Sequence, residues 1–259
     1  MMPLVHENPF NVLGNRAFAR GDLGAALAHY QQALEQARRG GSDRSLAVTL
    51  GNLANVYAGM GRRDEADGLY HQVLDIERRL GDARQIALTL LHLGNLAADA
   101  LEASRARAYY LEARDLLERL GETGPLGVLY QNMGLLARES GEHEAAVAAF
   151  ESALVLMRRA DDRRGVAAVY TNLSRTYLLM GRLDDAYACG ATALAMADRL
   201  GDELAAASAR YHLAGICEAR GDTAAARAHL RVVVDIDRRY GLPKYEENRA
   251  RLATLEAAS

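Results

Sequence analysis

The stretch Leu50–Gly81, LGNLANVYAGMGRRDEADGLYHQVLDIERRLG, decides the fold, because variants of it recur every 40 residues along the chain. Gly21, Gly61, Gly141, Gly181 and Gly221 stand in register, with Leu101 in the remaining slot. Ala26, Ala66, Ala106, Ala146, Ala186 and Ala226 form a column without exception. Tyr30, Tyr70, Tyr110 and Phe150 form another, which loosens to Gly190 and Leu230. Gly41, Gly81, Gly121, Gly201 and Gly241 make a fourth, with Asp161 standing in once. Six copies without insertion or deletion define a repeat array.

Within one copy, Leu50, Leu53, Ala54 and Tyr57 recur at the spacing of an amphipathic helix, and Gly61 follows where a helix C-cap needs a left-handed residue. Ala66, Leu69, Tyr70, Val73 and Leu74 trace a second helix, which closes on Arg78, Arg79 and Gly81. Asp82 is placed to cap the next helix. Each copy therefore reads as a helix–turn–helix hairpin with helices of about 15–18 residues. Gly14, Ala54, Gly94, Gly134, Ser174 and Ala214 give the first helix a small residue opposite the alanines of the second. That pairing lets the backbones approach, and the aromatic column fills the gap to the next hairpin. A bulky residue at Ala106 or Ala146 is expected to cost ~1–3 kcal/mol by overpacking.

The residues Leu53, Ala54, Tyr57, Gly61, Ala66, Tyr70 and Val73 carry a pattern that resembles the tetratricopeptide repeat, in a longer form than the usual one of about 34 residues. The longer form is similar to that of kinesin light chains, Pins-related polarity scaffolds and many bacterial regulators. The resemblance covers Asn8 to about Tyr240. It implies an all-α, right-handed α-solenoid (superhelix) of six hairpins plus a C-terminal capping helix. The repeats run over 8–41, 42–81, 82–121, 122–161, 162–201 and 202–241, after a flexible N-terminus at 1–7 and before a capping helix at 242–259. For function it implies a class only, the binding of peptides or partner proteins.

Half of the 259 residues are hydrophobic and a quarter charged, as in soluble folded proteins. A net charge of −3 offers no overall positive field for nucleic acid or acidic membranes. Of 31 basic residues only Lys244 is lysine, which reads as the codon bias of a GC-rich genome. Cys189 and Cys217, in different copies, are expected to be free buried thiols. With neither a signal peptide nor a membrane-length apolar run, the chain is expected to be cytoplasmic.

Asn8-Pro9 reads as an N-cap with proline in the first turn, so the first helix is about a turn short. Gly124 and Pro125 stiffen one connection without breaking the period, and no domain boundary is expected there. Leu101 implies a turn of different geometry or one running through an alanine-rich corner. At Gly190, either Tyr187 fills the missing aromatic's space or a local gap remains. Pro243 starts a final charged helix, whose expected job is to cap the array.

The motifs of catalysis are missing. His143-Glu144 opens like a zinc-protease helix, but Val147 stands where the second histidine belongs. The histidines show no metal spacing, and there is neither a phosphate loop nor a nucleophile motif. The expectation is therefore a non-enzyme with no cofactor and no metal.

Interest falls on the face that the first helices turn to the concave side. There the chain places Asn15, Asn52, Asn55, His92, Asn95, Asn132, Asn172, Arg175 and His212, flanked by Gln131, Arg138, Thr171 and Tyr211. Asparagine is a mediocre helix former, so such a column needs a reason. One reason is a ladder of carboxamides holding the main chain of an extended peptide, as the resemblance implies. The other is that the asparagines bond neighbouring hairpins. A clamp for a chaperone's terminal carboxylate is not expected, because the cation positions hold Asn11, Leu88 and His92. The functional reading is a protein-interaction scaffold with a peptide or partner segment in the groove. The alternatives are a regulatory or sensory module for a signalling peptide or small ligand, and self-association.

Overall fold

The computed structural model describes residues 8–257, and these hold thirteen α-helices and no strand. Six hairpins pair α1 (Pro9–Ala19) with α2 (Leu23–Gly40), α3 (Asp43–Gly59) with α4 (Arg63–Leu80), and α5 (Ala83–Asp99) with α6 (Ala103–Leu120). They continue with α7 (Thr123–Glu139) and α8 (His143–Arg159), α9 (Arg163–Leu179) and α10 (Leu183–Leu200), and α11 (Glu203–Ala219) and α12 (Thr223–Tyr240). A last helix, α13 (Tyr245–Ala257), follows. The chain divides into two compact units, one through Glu122 and one from Thr123. The six-copy register of the sequence runs on through that division.

Local chemistry sets the helix ends. Asn8 accepts a hydrogen bond from the Phe10 amide at 3.0 Å, ahead of Pro9. Asp82 does the same for Gln85 at 3.3 Å, and Asp22, Asp162, Asp202 and Asp222 repeat the device. Gly81 closes α4 with φ 68° behind Arg78 and Arg79. Gly41, in the same column, is extended with φ −79°, so the link from α2 to α3 differs from its counterparts.

The turn at Leu101 does not differ. Leu101 is forced to φ 62°, and its amide and that of Glu102 donate to Ala98 and Ala97, both at 2.9 Å. The glycine turn makes the same pair of bonds, Gly61 to Ala58 and Arg62 to Tyr57, both at 2.9 Å. Two backbone hydrogen bonds thus outweigh the left-handed penalty of about 1–2 kcal/mol on an L-residue.

All six column alanines are 0 % exposed, so the two helices of each hairpin meet with no room for a larger side chain. In the first unit Tyr30 packs with Ala17, Leu53 and Val56, joining one hairpin to the next. In the second, Phe150 belongs to one buried cluster with Leu173, Tyr177, Leu213 and Ile216 that runs over three hairpins. A Cβ added at Gly134 would meet the Phe150 ring at 2.6 Å, and Gly14 and Gly94 stand against Tyr30 and Tyr110 in the same way. Gly190 leaves no gap, and Tyr187 does not fill one. Its missing aromatic is replaced by Leu213 of the next hairpin and by Ser174, each 2.9 Å from where a Cβ would stand. Ser174 also donates to the Ala186 carbonyl at 2.7 Å, which satisfies its buried hydroxyl.

Helix α13 packs against α12, where Asn248 donates to the buried Asp237 carboxylate at 2.7 Å. Cys217 is buried and Cys189 half-buried, and both are free. Burial raises both thiol pKa values, that of Cys189 to about 11, so neither is a thiolate at neutral pH.

Candidate functional site

The residues singled out on the first helices fall into two columns with different chemistry. Asn15, Asn55 and Asn95 accept the hydroxyl protons of Tyr30, Tyr70 and Tyr110 at 2.7, 2.6 and 2.8 Å. Each bond runs within one hairpin, between residues 15 apart. A buried tyrosine needs a partner for its hydroxyl, and the groove asparagine supplies it. Burial pushes the Tyr70 pKa up to about 12, which keeps the donor protonated. Where the ring loses its hydroxyl, the column loses its asparagine: Leu135 goes with Phe150, Arg175 with Gly190 and Gly215 with Leu230.

The oxygens of these three carboxamides are therefore engaged inside the fold. For Asn15 and Asn55 the amide N–H groups stay without a partner among the described residues.

The second column is Asn52, His92, Asn132, Asn172 and His212. In the first unit, a cavity of about 550 Å³ opens between α3, α4 and α5, with Asn52, Asn55 and His92 in its wall. Half-buried Asn52 has no hydrogen bond to any other described residue. His92 stacks on Tyr70, with ring centroids 5.4 Å apart and planes 3° from parallel. Desolvation lowers its pKa, so the ring is neutral at neutral pH.

In the second unit, a cavity of about 430 Å³ is lined by Thr171 and Asn172 on α9, with Ala197 and Ser208 across from them. Thr171 turns its hydroxyl back to the Ala167 carbonyl at 3.2 Å. Asn172 accepts from Arg138 at 3.1 Å, so its N–H₂ group is the end left to donate. Gln131 and Asn132 are half-buried on α7, and Arg175 is exposed on α9 with no ion pair among the described residues. Arg138, read from sequence as a flank, is only 6 % exposed. Tyr211 and His212 sit edge to face at 5.5 Å.

Lys244 and Arg251 lie 5.4 and 5.1 Å from the Tyr211 ring centroid, so the C-terminal segment joins this face. The sequence reading missed both. The only signal for them was that Lys244 is the sole lysine, and the repeat period does not reach far enough to place α13.

Among the described residues, no cluster of histidine, cysteine or acidic side chains could hold a metal, and no helix is long and apolar enough to cross a membrane.

Six helical hairpins, each holding one fully buried column alanine, and a thirteenth helix define, over the described residues, a helical-hairpin repeat protein. The family model for the tetratricopeptide repeat matches residues 7–79, 45–119, 125–186 and 165–239, and the chain belongs to that family. No curated protein matches it by sequence.

Among solved structures it is similar to BtubC (BKLC) from P. vanneervenii, with a TM-score of 0.66 and 24 % identity over 74 % of this chain and 80 % of that one. It is also similar to a Rap protein in complex with competence and sporulation factor, with a TM-score of 0.71 and 17 % identity over 100 % of this chain and 77 % of that one. The apo form of RapI matches with a TM-score of 0.73 and 16 % identity over 98 % of both chains. At such identities these likenesses concern the fold.

Proposed function

We propose that the chain is a non-catalytic, cytoplasmic interaction scaffold that receives an extended peptide or partner segment along the faces of its first helices. The hairpins of each unit act as repeats of one kind, with α13 as the cap of the second unit. The carrying observation is Asn52, a carboxamide at the wall of a 550 Å³ cavity with no internal partner. A helix interior gains nothing from asparagine, and a carboxamide supplies both a donor and an acceptor to a peptide bond. Asn172 offers the same donor in the second unit, beside a cavity of about 430 Å³. Preformed cavities call for little refolding on binding.

The test is capture of partners from native extract by wild type and by the Asn52→Ala/Asn172→Ala variant. The proposal expects capture to be lost, with the Tm of Asn52→Ala alone within about 2 °C of wild type because its side chain has no internal partner, and a larger loss of Tm from Asn172→Ala, which takes away the acceptor of the Arg138 guanidinium. Unchanged capture contradicts it.

A second reading, a regulatory module for a signalling peptide, draws on the likeness to the Rap protein seen with competence and sporulation factor. It predicts that a short peptide alone raises the Tm by mass action. Self-association is read directly from light scattering after size exclusion.

A further inference from the structure

One carboxyl group of the first unit is buried without enough inside the fold to hold it. Glu77, near the end of α4, is 6 % exposed, and its Oε2 has no hydrogen-bond partner among the described residues. A buried acceptor left unpaired costs on the order of 1–3 kcal/mol, and more when the group is charged. Closing the hairpin does not require an acid there, because the same position of the other copies holds Ala37, Leu117, Met157, Ala197 and Asp237. Leu117 and Met157 are ordinary core residues in that slot, and Asp237 is held by Asn248 at 2.7 Å. Glu77 keeps a carboxyl in the slot with no such partner for its second oxygen.

Glu77 lines the cavity of about 550 Å³ between α3, α4 and α5, as does the partnerless carboxamide of Asn52. The other charges in that wall are already matched. Arg44 is paired with Asp82 at 2.7 Å and Arg84 with Glu122 at 2.8 Å, and the desolvated His92 ring is neutral at neutral pH. Burial raises the Glu77 pKa, a hydrogen bond with Thr89 works against it, and nearby Asp82 raises it further. The charge that this space lacks is therefore a positive one. Val48, Val73, Leu80 and Leu88 give the wall an apolar part, suited to a carbon chain. The volume falls within the roughly 300–1,000 Å³ of small-ligand sites. The oxygen cage of a metal ion is not on offer, because no three acidic, histidine or cysteine side chains come together among the described residues.

We propose that this cavity binds an alkylammonium group against the Glu77 carboxylate, with the carbon chain along the apolar wall. The proposal rests on the reading of the cavity as a receiving site and adds the chemistry of the group received. An ammonium brings three N–H donors and the missing charge, and so supplies the carboxylate with what the fold withholds. Asn52 offers a donor and an acceptor to the polar remainder of the ligand. A free amine and a lysine side chain of a partner present the same group, and the test separates them.

The test is a ligand-observed NMR titration with cadaverine, a linear diamine, beside two matched probes. Pentane-1,5-diol keeps the length and removes the charge, and Nα-acetyl-lysine methylamide presents the ammonium as a side chain. The proposal expects saturable binding of an ammonium probe and none of the diol. Tighter binding of cadaverine than of the lysine derivative assigns the site to a free amine, and the reverse order assigns it to a lysine side chain. Glu77→Gln, which keeps the shape, should lose at least about tenfold in affinity, the worth of a charge-assisted hydrogen bond. Glu77→Leu, which copies Leu117 of the next hairpin, should fold and lose as much. Asp75→Asn, exposed on the same helix, should bind as wild type.

Equal affinity of Glu77→Gln and wild type overturns the proposal, as does binding of the diol as tight as that of cadaverine. A loss in Asp75→Asn as large as that in Glu77→Gln also overturns it, because the probe then follows surface charge. If partner capture still depends on Asn52 and Asn172 while neither ammonium probe binds, only the ammonium site falls. If cadaverine binds through Glu77 and capture is indifferent to those asparagines, only the peptide reading falls.

Discussion

The hairpins of the first unit and those of the second solve the same packing problem with different chemistry. In the first, Tyr30, Tyr70 and Tyr110 fill the slot between the helices and hand their hydroxyls to Asn15, Asn55 and Asn95. In the second, Phe150, Gly190 and Leu230 occupy that slot, and the facing positions become Leu135, Arg175 and Gly215. Half of the asparagine column is therefore a consequence of the core. Once the hydroxyl goes, the facing position is released, and in one hairpin it becomes the unpaired Arg175. Function enters where packing relaxes its hold.

The sharpest way to break this comparison is to move the tyrosine. Phe150→Tyr puts a hydroxyl opposite Leu135, with no acceptor, and should cost about 1–3 kcal/mol. Adding Leu135→Asn should restore much of the loss in urea unfolding. Additive effects of the two substitutions would show that the tyrosine–asparagine bond is incidental. The converse change, Tyr70→Phe, should cost about 0.5–1.5 kcal/mol, because half-exposed Asn55 can turn to water.

Leu101→Gly should stabilise by roughly 0.5–1 kcal/mol. It relieves a left-handed leucine and gives back part of that in unfolded-chain entropy. A lower Tm for this variant would mean that Leu101, 87 % exposed, has an unrecognised role at the surface.

The smallest effect is a pH dependence. His212 has a folded pKa of about 4 against 6.5 unfolded, so below 6.5 the unfolded chain binds the proton that the folded chain refuses. Stability attached to this ring is complete above pH 6.5 and declines as pH falls towards 4. His92 and His229 share the direction, so the readout is the difference between wild type and His212→Gln. The variant should lose less Tm over that acid window, and an identical decline in both proteins would remove His212 from the account.

The period, both helices of each hairpin, the caps at Asn8 and Asp82 and the buried alanine column were all legible in the sequence. They arise from local rules that repeat. Four features were not. The division after Glu122 depends on contacts that a register of columns does not count. Leu101 was read as a changed turn or a run through an alanine-rich corner because identity was taken for geometry, whereas two capping hydrogen bonds held the turn and strained the residue. Asn15 and Asn55 were read together with Asn52 because all face one side, but only a hydroxyl 15 residues further on separates the first two from the third. Lys244 and Arg251 lay beyond the reach of the period altogether.

The central claim is that partners lie along the first helices, and photo-crosslinking tests it most directly. A benzophenone side chain is placed at Val48 or Ala168, exposed beside the two cavities, and for comparison at Leu111 or Val155, exposed on second helices. The account predicts that partner protein from native extract is trapped from Val48 and Ala168 and not from Leu111 or Val155. Trapping only from Leu111 and Val155 would contradict it.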